Sequence, residues 1–116
     1  MTSSEDHARH ALELEERLRP EALPRLAVFL ADYLGEDAVA RHVGGAQAAW
    51  EYARVAELDE LEELFGDWEV LRAATGALSL ARVNEVLRTR FATTWQAASS
   101  AEIEQVLELF ERALRE

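Results

Sequence analysis

Apolar residues recur along this chain at helical spacing, and almost no stretch shows the alternation of a half-buried strand. The most regular stretch is Glu57 to Leu71, ELDELEELFGDWEVL. At about 100° per residue, Leu58, Leu61, Leu64, Phe65 and Trp68 share one arc, while Asp59, Glu60, Glu62, Glu63, Asp67 and Glu69 fill the other. No Lys or Arg falls between Arg54 and Arg72, so nothing inside the stretch neutralises these acids. Gly66 either costs this helix up to ~1 kcal/mol relative to Ala or marks a break with Asp67 as a fresh N-cap. Tyr52 and Val70 fall off the packed arcs and read as apolar islands on a polar surface.

The other elements follow from the same period. Ala8, Ala11, Leu12, Glu15 and Leu18 give a first helix with a weak apolar face, capped from the Ser3-Ser4-Glu5-Asp6 run. Pro24 suits the first turn of a second helix, where its missing N–H costs nothing, and Leu26, Ala27, Leu30, Tyr33 and Leu34 form its stripe up to Gly35. Glu36 to His42 read as one or two helical turns closed by Gly44-Gly45. Ala49, Trp50, Ala53 and Ala56 begin a further helix that either runs into the acidic stretch or bends near Glu57-Leu58-Asp59. The acidic segment is expected to end at Thr75-Gly76.

Ser79 caps the next helix, with Leu80, Val83, Val86, Leu87 and Phe91 facing inward. A connection from Phe91 to Ala98 leads to a capping box of Ser99 and Glu102, then to an amphipathic helix carrying Ile103, Val106, Leu107, Phe110 and Leu114. The fold class is therefore all-α, a compact single-domain bundle of about five helices. Residues 1–20 read as an N-terminal helical arm whose docking on the bundle of residues 21–116 the pattern leaves open.

Composition narrows the function. A chain of 116 residues with 49% hydrophobic and 30% charged residues has the material for a core and is unlike a disordered chain. It has no Cys, so disulfides, thiolate metal sites and thiol nucleophiles are excluded. No apolar run approaches the ~20 residues of a membrane span, and the polar start Met1 to His10 is unlike a signal peptide. The cytoplasm is the expected location. The net charge of −11 reverses the sign of the term that drives binding to nucleic acid or anionic lipid, so neither is an expected partner and a basic protein is. All twelve basic residues are Arg, which reads as coding bias.

Catalytic and metal-binding chemistry find little support. His7 and His10 sit three apart on a helix without a convincing third ligand. Glu60 with Glu63, and Glu13 with Glu16, lack the His of helix-borne carboxylate metal sites. Ser79, Ser99 and Ser100 are explained as caps, His42 has no evident partner, and Val43-Gly44-Gly45-Ala46 lacks the Lys and preceding strand of a phosphate-binding loop. No catalytic residue, metal ligand or cofactor is assigned, and the chain is not expected to be an enzyme. Trp50 and Trp68 fall on apolar arcs and read as core, whereas Trp95 either plugs a gap between helix ends or stays exposed as an interface anchor.

Several segments taken together resemble a family. Tyr33-Leu34-Gly35-Glu36-Asp37, Val43 to Ala49, Ala56 to Leu71, Leu78-Ser79 through Leu87, and Phe91 to Trp95 are similar, over residues 26–114, to small bacterial contact-dependent growth inhibition immunity proteins. Ala38-Val39 stand where that family carries a Trp after the acidic pair. The resemblance implies an antidote that binds and blocks the toxic domain of a secreted protein, often a nuclease, whose basic cleft an acidic helix face would fill. The expected partner-binding residues are Asp59, Glu60, Glu62, Glu63, Asp67, Glu69, Val70 and Trp95, on a chain read as a monomer in preference to a homodimer. The alternatives are a non-catalytic helical adaptor or homodimeric module, and an acidic mimic of nucleic acid.

Overall fold

Six α-helices make up the regular structure of the residues that the computed structural model describes, which are 2–34, 45–91, 93 and 95–115. They are α1 (Thr2–Arg17), α2 (Pro24–Tyr33), α3 (Gly45–Val55), α4 (Leu58–Ala77), α5 (Leu80–Arg90) and α6 (Ser100–Arg115). No strand occurs among the described residues, and no helix among them is long and apolar enough to cross a membrane. The expectations for Gly35, for Glu36 to His42 and for Gly44 lie outside the described residues.

The acidic stretch lies in α4, the longest helix and the centre of the bundle, which packs against α1, α2, α5 and α6. Its inward stripe is Leu61, Leu64, Trp68, Leu71 and Ala74, at steps of three and four. The helix runs unbroken through Gly66 and past Thr75-Gly76 to Ala77. The chain bends before it, because Glu57 is extended (φ −73°, ψ 157°) and starts α4 without a side-chain cap. That bend turns Leu58 outward, 60% exposed, where the regular spacing had placed it in the core.

Aromatic rings join four of the helices. Phe29 of α2 stacks on Tyr33 at 5.7 Å and meets Tyr52 of α3, Trp68 of α4 and Phe110 of α6 edge-on at 5.5, 5.8 and 6.0 Å. Edge-on pairs at this spacing contribute ~0.5–1.5 kcal/mol each beyond the area they bury. The cluster also rotates α3 relative to the expected arc. Tyr52 is buried, 7% exposed, and Trp50 is 51% exposed, the reverse of the sequence reading. Ala46, Ala48, Ala49 and Ala53 give equal support to neighbouring arcs, so Tyr52's fit against Phe29 and Phe110 decides the face.

Leu14 of α1 and Leu18 just past its end are buried, with Leu12 exposed although its spacing had suggested the reverse. The helix begins at Thr2, so the Ser3 to Asp6 run lies inside it rather than before it. Its C-terminal end is held to α5, where Glu15 pairs with Arg82 and the Arg90 guanidinium donates to the carbonyls of Glu15 (2.8 Å) and Leu18 (3.3 Å).

The connection between α5 and α6 is fastened by side chains. Asn84 donates to the Ala97 carbonyl at 3.1 Å and accepts from the Ala97 N–H at 3.0 Å, as a strand neighbour would. The buried Thr93 hydroxyl donates to the Leu34 carbonyl at 2.6 Å and accepts from the Trp95 N–H at 3.0 Å. Ser79 caps α5 by accepting from the Arg82 N–H at 3.1 Å, and Ser99 accepts from the Glu102 N–H at 3.3 Å. The Glu102 carboxylate reaches back to the Ala98 N–H at 3.1 Å, one residue before the donor of a regular capping box.

Candidate interaction surface

The acids of α4 divide into two groups by helix geometry. Glu60, Glu63 and Asp67 project within ~60° of one another, and Asp59, Glu62 and Glu69 span a second arc of ~80° centred near Gly66. The first group faces the start of α2. Leu23, the N-cap of α2, makes no side-chain cap, and Pro24 occupies the first turn. The vacant cap is filled from α4, where one Asp67 oxygen accepts the N–H groups of both Arg25 and Leu26 at 3.0 Å. Beside it the Arg25 guanidinium pairs with Glu63 at 2.5 Å, an interaction that raises the already high Arg25 pKa.

This arrangement gives part of the expected docking face partners inside the protein. Asp67 is a half-buried structural acceptor, and Glu63 is neutralised by an Arg of another helix, which no pattern inside α4 signals. Burial pushes the Asp67 carboxyl above its ordinary range, against the two N–H groups that favour its charged form, with Glu63 pushing it further up. Glu60 is half-buried on the same flank and adds to the rise in the Tyr52 pKa, which burial chiefly causes.

Trp95 takes the first of its two expected places, the gap between helix ends, and not the exposed one that a partner-binding role needs. It is only 6% exposed and lies 6.2 Å from the Trp68 ring, so it fills the space behind α4 and presents nothing to a partner. Trp68 is fully buried, as expected, and its indole N–H donates to the Ile103 carbonyl of α6 at 2.9 Å. Val70 is half-buried and packs against the core, so it is not an isolated surface island.

What the structure leaves facing water is narrower. Asp59, Glu62 and Glu69 are exposed, and none of them has an ion-pair partner among the described residues. At the N-terminal end of this strip, Leu58 (60% exposed) and Val55 (72% exposed) stand on either side of the Glu57 bend. Both exposed aliphatic residues thus neighbour acids along the chain, Glu57 between them and Asp59 and Glu62 just after Leu58. The sequence reading missed Val55 and misplaced Leu58, because the bend that exposes them is set by the chain's entry into α4.

A second exposed feature lies between α3 and α6. Trp50 forms part of a groove of about 620 Å³, and the Arg54 guanidinium sits 4.6 Å from its ring centroid. The i, i+4 spacing of Trp50 and Arg54 was the available signal for an exposed, stacked Trp. Among the described residues, no group of three or more His, Cys, Asp or Glu converges in a way that could hold a metal ion. Comparison with protein-family models, curated proteins and solved structures finds no match to the chain.

Proposed function

We propose that this protein is a non-catalytic immunity protein that binds and blocks a basic toxin domain through the outer strip of α4. The observation that carries the reading is the strip itself: exposed Asp59, Glu62 and Glu69, without ion-pair partners among the described residues, on a helix packed at the centre of the bundle, with Leu58 and Val55 exposed at one end. A nuclease or similar enzyme presents a basic cleft to a phosphate-bearing substrate. A fixed row of carboxylates occupies such a cleft without chemistry, and a net charge of −11 steers the encounter. Leu58 and Val55 add exposed apolar surface at one end of the strip that charge alone lacks. The protein acts in the cytoplasm as a monomer, and the partner is a protein domain rather than nucleic acid, membrane or cofactor.

The resemblance to contact-dependent growth inhibition immunity proteins adds a location for the partner, since such a protein is encoded directly after its toxin. The test is co-expression and pull-down with the C-terminal domain of the protein encoded immediately upstream. Growth rescue together with a stable complex is the expected result. A toxic domain that is neither bound nor neutralised would contradict the proposal.

A further inference from the structure

Two polar groups where α2, α3 and α4 meet are left without a use in the fold. Tyr52 is 7% exposed, and its ring is held edge-on by Phe29 and Tyr33 of α2 and by Phe110 of α6, at 5.5, 5.3 and 6.4 Å. Its hydroxyl has no hydrogen-bond partner among the described residues. A hydroxyl this buried ordinarily has one, because leaving it dry forfeits its hydrogen bonds to water. Burial raises the Tyr52 pKa, and Glu60 is the leading charge behind it, ahead of Arg25 and Glu63. The hydroxyl therefore lies toward the carboxylates of α4 and not in the apolar core. Glu60 is half-buried and has no ion-pair partner among the described residues.

The charge around this pair favours a cation. Glu60, Glu63 and Asp67 stand against a single facing base, Arg25, which Glu63 already engages at 2.5 Å. The only base on α3, Arg54, is matched by Glu51. Glu60 directly follows Asp59 and lies two positions before Glu62, so a protein domain seated on the exposed strip of α4 has this flank within reach.

We infer that Glu60 and the Tyr52 hydroxyl form a receiving site for one arginine side chain of the partner domain. The guanidinium N–H groups donate to the carboxylate and to the hydroxyl oxygen together. Its planar fork of donors suits two neighbouring acceptors, and it leaves water more readily than the strongly hydrated ammonium of Lys. The inference rests on the immunity reading for the source of the arginine, and on the junction of α2, α3 and α4 alone for the site.

The chain has two tyrosines, so an NMR-active carbon placed at the tyrosine Cζ gives two signals, assigned with Tyr52→Phe. N-acetyl-arginine amide and its uncharged isostere N-acetyl-citrulline amide are titrated into the protein at tens of millimolar with ionic strength matched. The arginine probe should move the Tyr52 signal saturably, and the citrulline probe should bind at least ~10-fold more weakly. Glu60→Gln should remove that preference, whereas Glu62→Gln in the exposed strip should keep it. No saturable shift, equal shifts from the two probes, or a preference that survives Glu60→Gln would overturn the inference. In the complex with the upstream-encoded domain, Glu60→Gln should weaken binding by ~10-fold. Full affinity there sinks the inference and leaves the immunity reading standing. Absence of any complex removes that reading, while the arginine titration still decides the site.

Discussion

Asp67 links two helices that lie about forty positions apart in sequence, and its removal tests the fold's least obvious fastening. In Asp67→Ala the Arg25 and Leu26 N–H groups at the start of α2 lose their acceptor, and Leu23 has no side-chain cap to replace it. Loss of an N-cap typically costs ~1–2 kcal/mol, and α2 carries the fully buried Leu26, Phe29 and Leu30 into the core. For a domain of this size the loss corresponds to a drop in Tm of about 4–8 °C.

Asp67→Asn separates the acceptor from the charge. Asn caps about as well as Asp, and it avoids the desolvation that raises the Asp67 pKa, so its stability at neutral pH should stay within ~0.5 kcal/mol of wild type. The raised folded-state pKa also fixes a sign. The folded state holds the Asp67 proton more tightly than the unfolded chain, so the stability gained on protonation is fully present below the unfolded value and lost as pH rises through the folded one. Wild type should therefore gain on Asp67→Asn as pH falls from neutral into the carboxylate range. Urea unfolding followed by circular dichroism at several pH values measures both effects. The reasoning is refuted if Asp67→Ala is as stable as wild type, if Asn is as harmful as Ala, or if the gap between wild type and Asn moves the other way with pH.

Gly66 lies exposed inside α4, and a Cβ added there meets nothing within 4 Å. Gly66→Ala should therefore raise stability by ~1 kcal/mol, read from the urea midpoint, whereas a loss would mean that α4 is not continuous. Trp95→Ala should cost ~3–5 kcal/mol as a buried large-to-small change, while Trp50→Ala should cost far less because half its side chain is already in water. Comparable losses for the two would show that their burial has been assigned wrongly.

The sequence showed clearly where packing is governed by local periodicity. The α6 stripe of Ile103, Val106 and Phe110 and the Ser79 cap could be read directly, because the signal and the structure it dictates lie within one helix. The faces of α1 and α3 were misread because alanines give no strong direction, and the side chains that break the tie belong to other helices. The six expected acids of α4 were found as a group, but their division was invisible. It depends on Arg25 and on the uncapped start of α2, both contributed from outside the stretch. Trp95 illustrates the same limit, since a Trp in an irregular connection is buried or exposed according to whether a partner such as Trp68 lies behind it.

The central claim is that a particular strip, and not net charge alone, binds the partner. The direct measurement is the affinity of the upstream-encoded toxin domain, by calorimetry at physiological salt, for two charge-matched triple variants. One reverses Asp59, Glu62 and Glu69 to Lys, and the other reverses the exposed acids Glu13, Glu16 and Glu21. Both change the net charge equally, yet the first should weaken binding by about 100-fold and the second by only a few-fold, because screening confines the interaction to groups near the interface. Equal losses in the two variants, or full affinity after reversal of the α4 strip, would contradict the account.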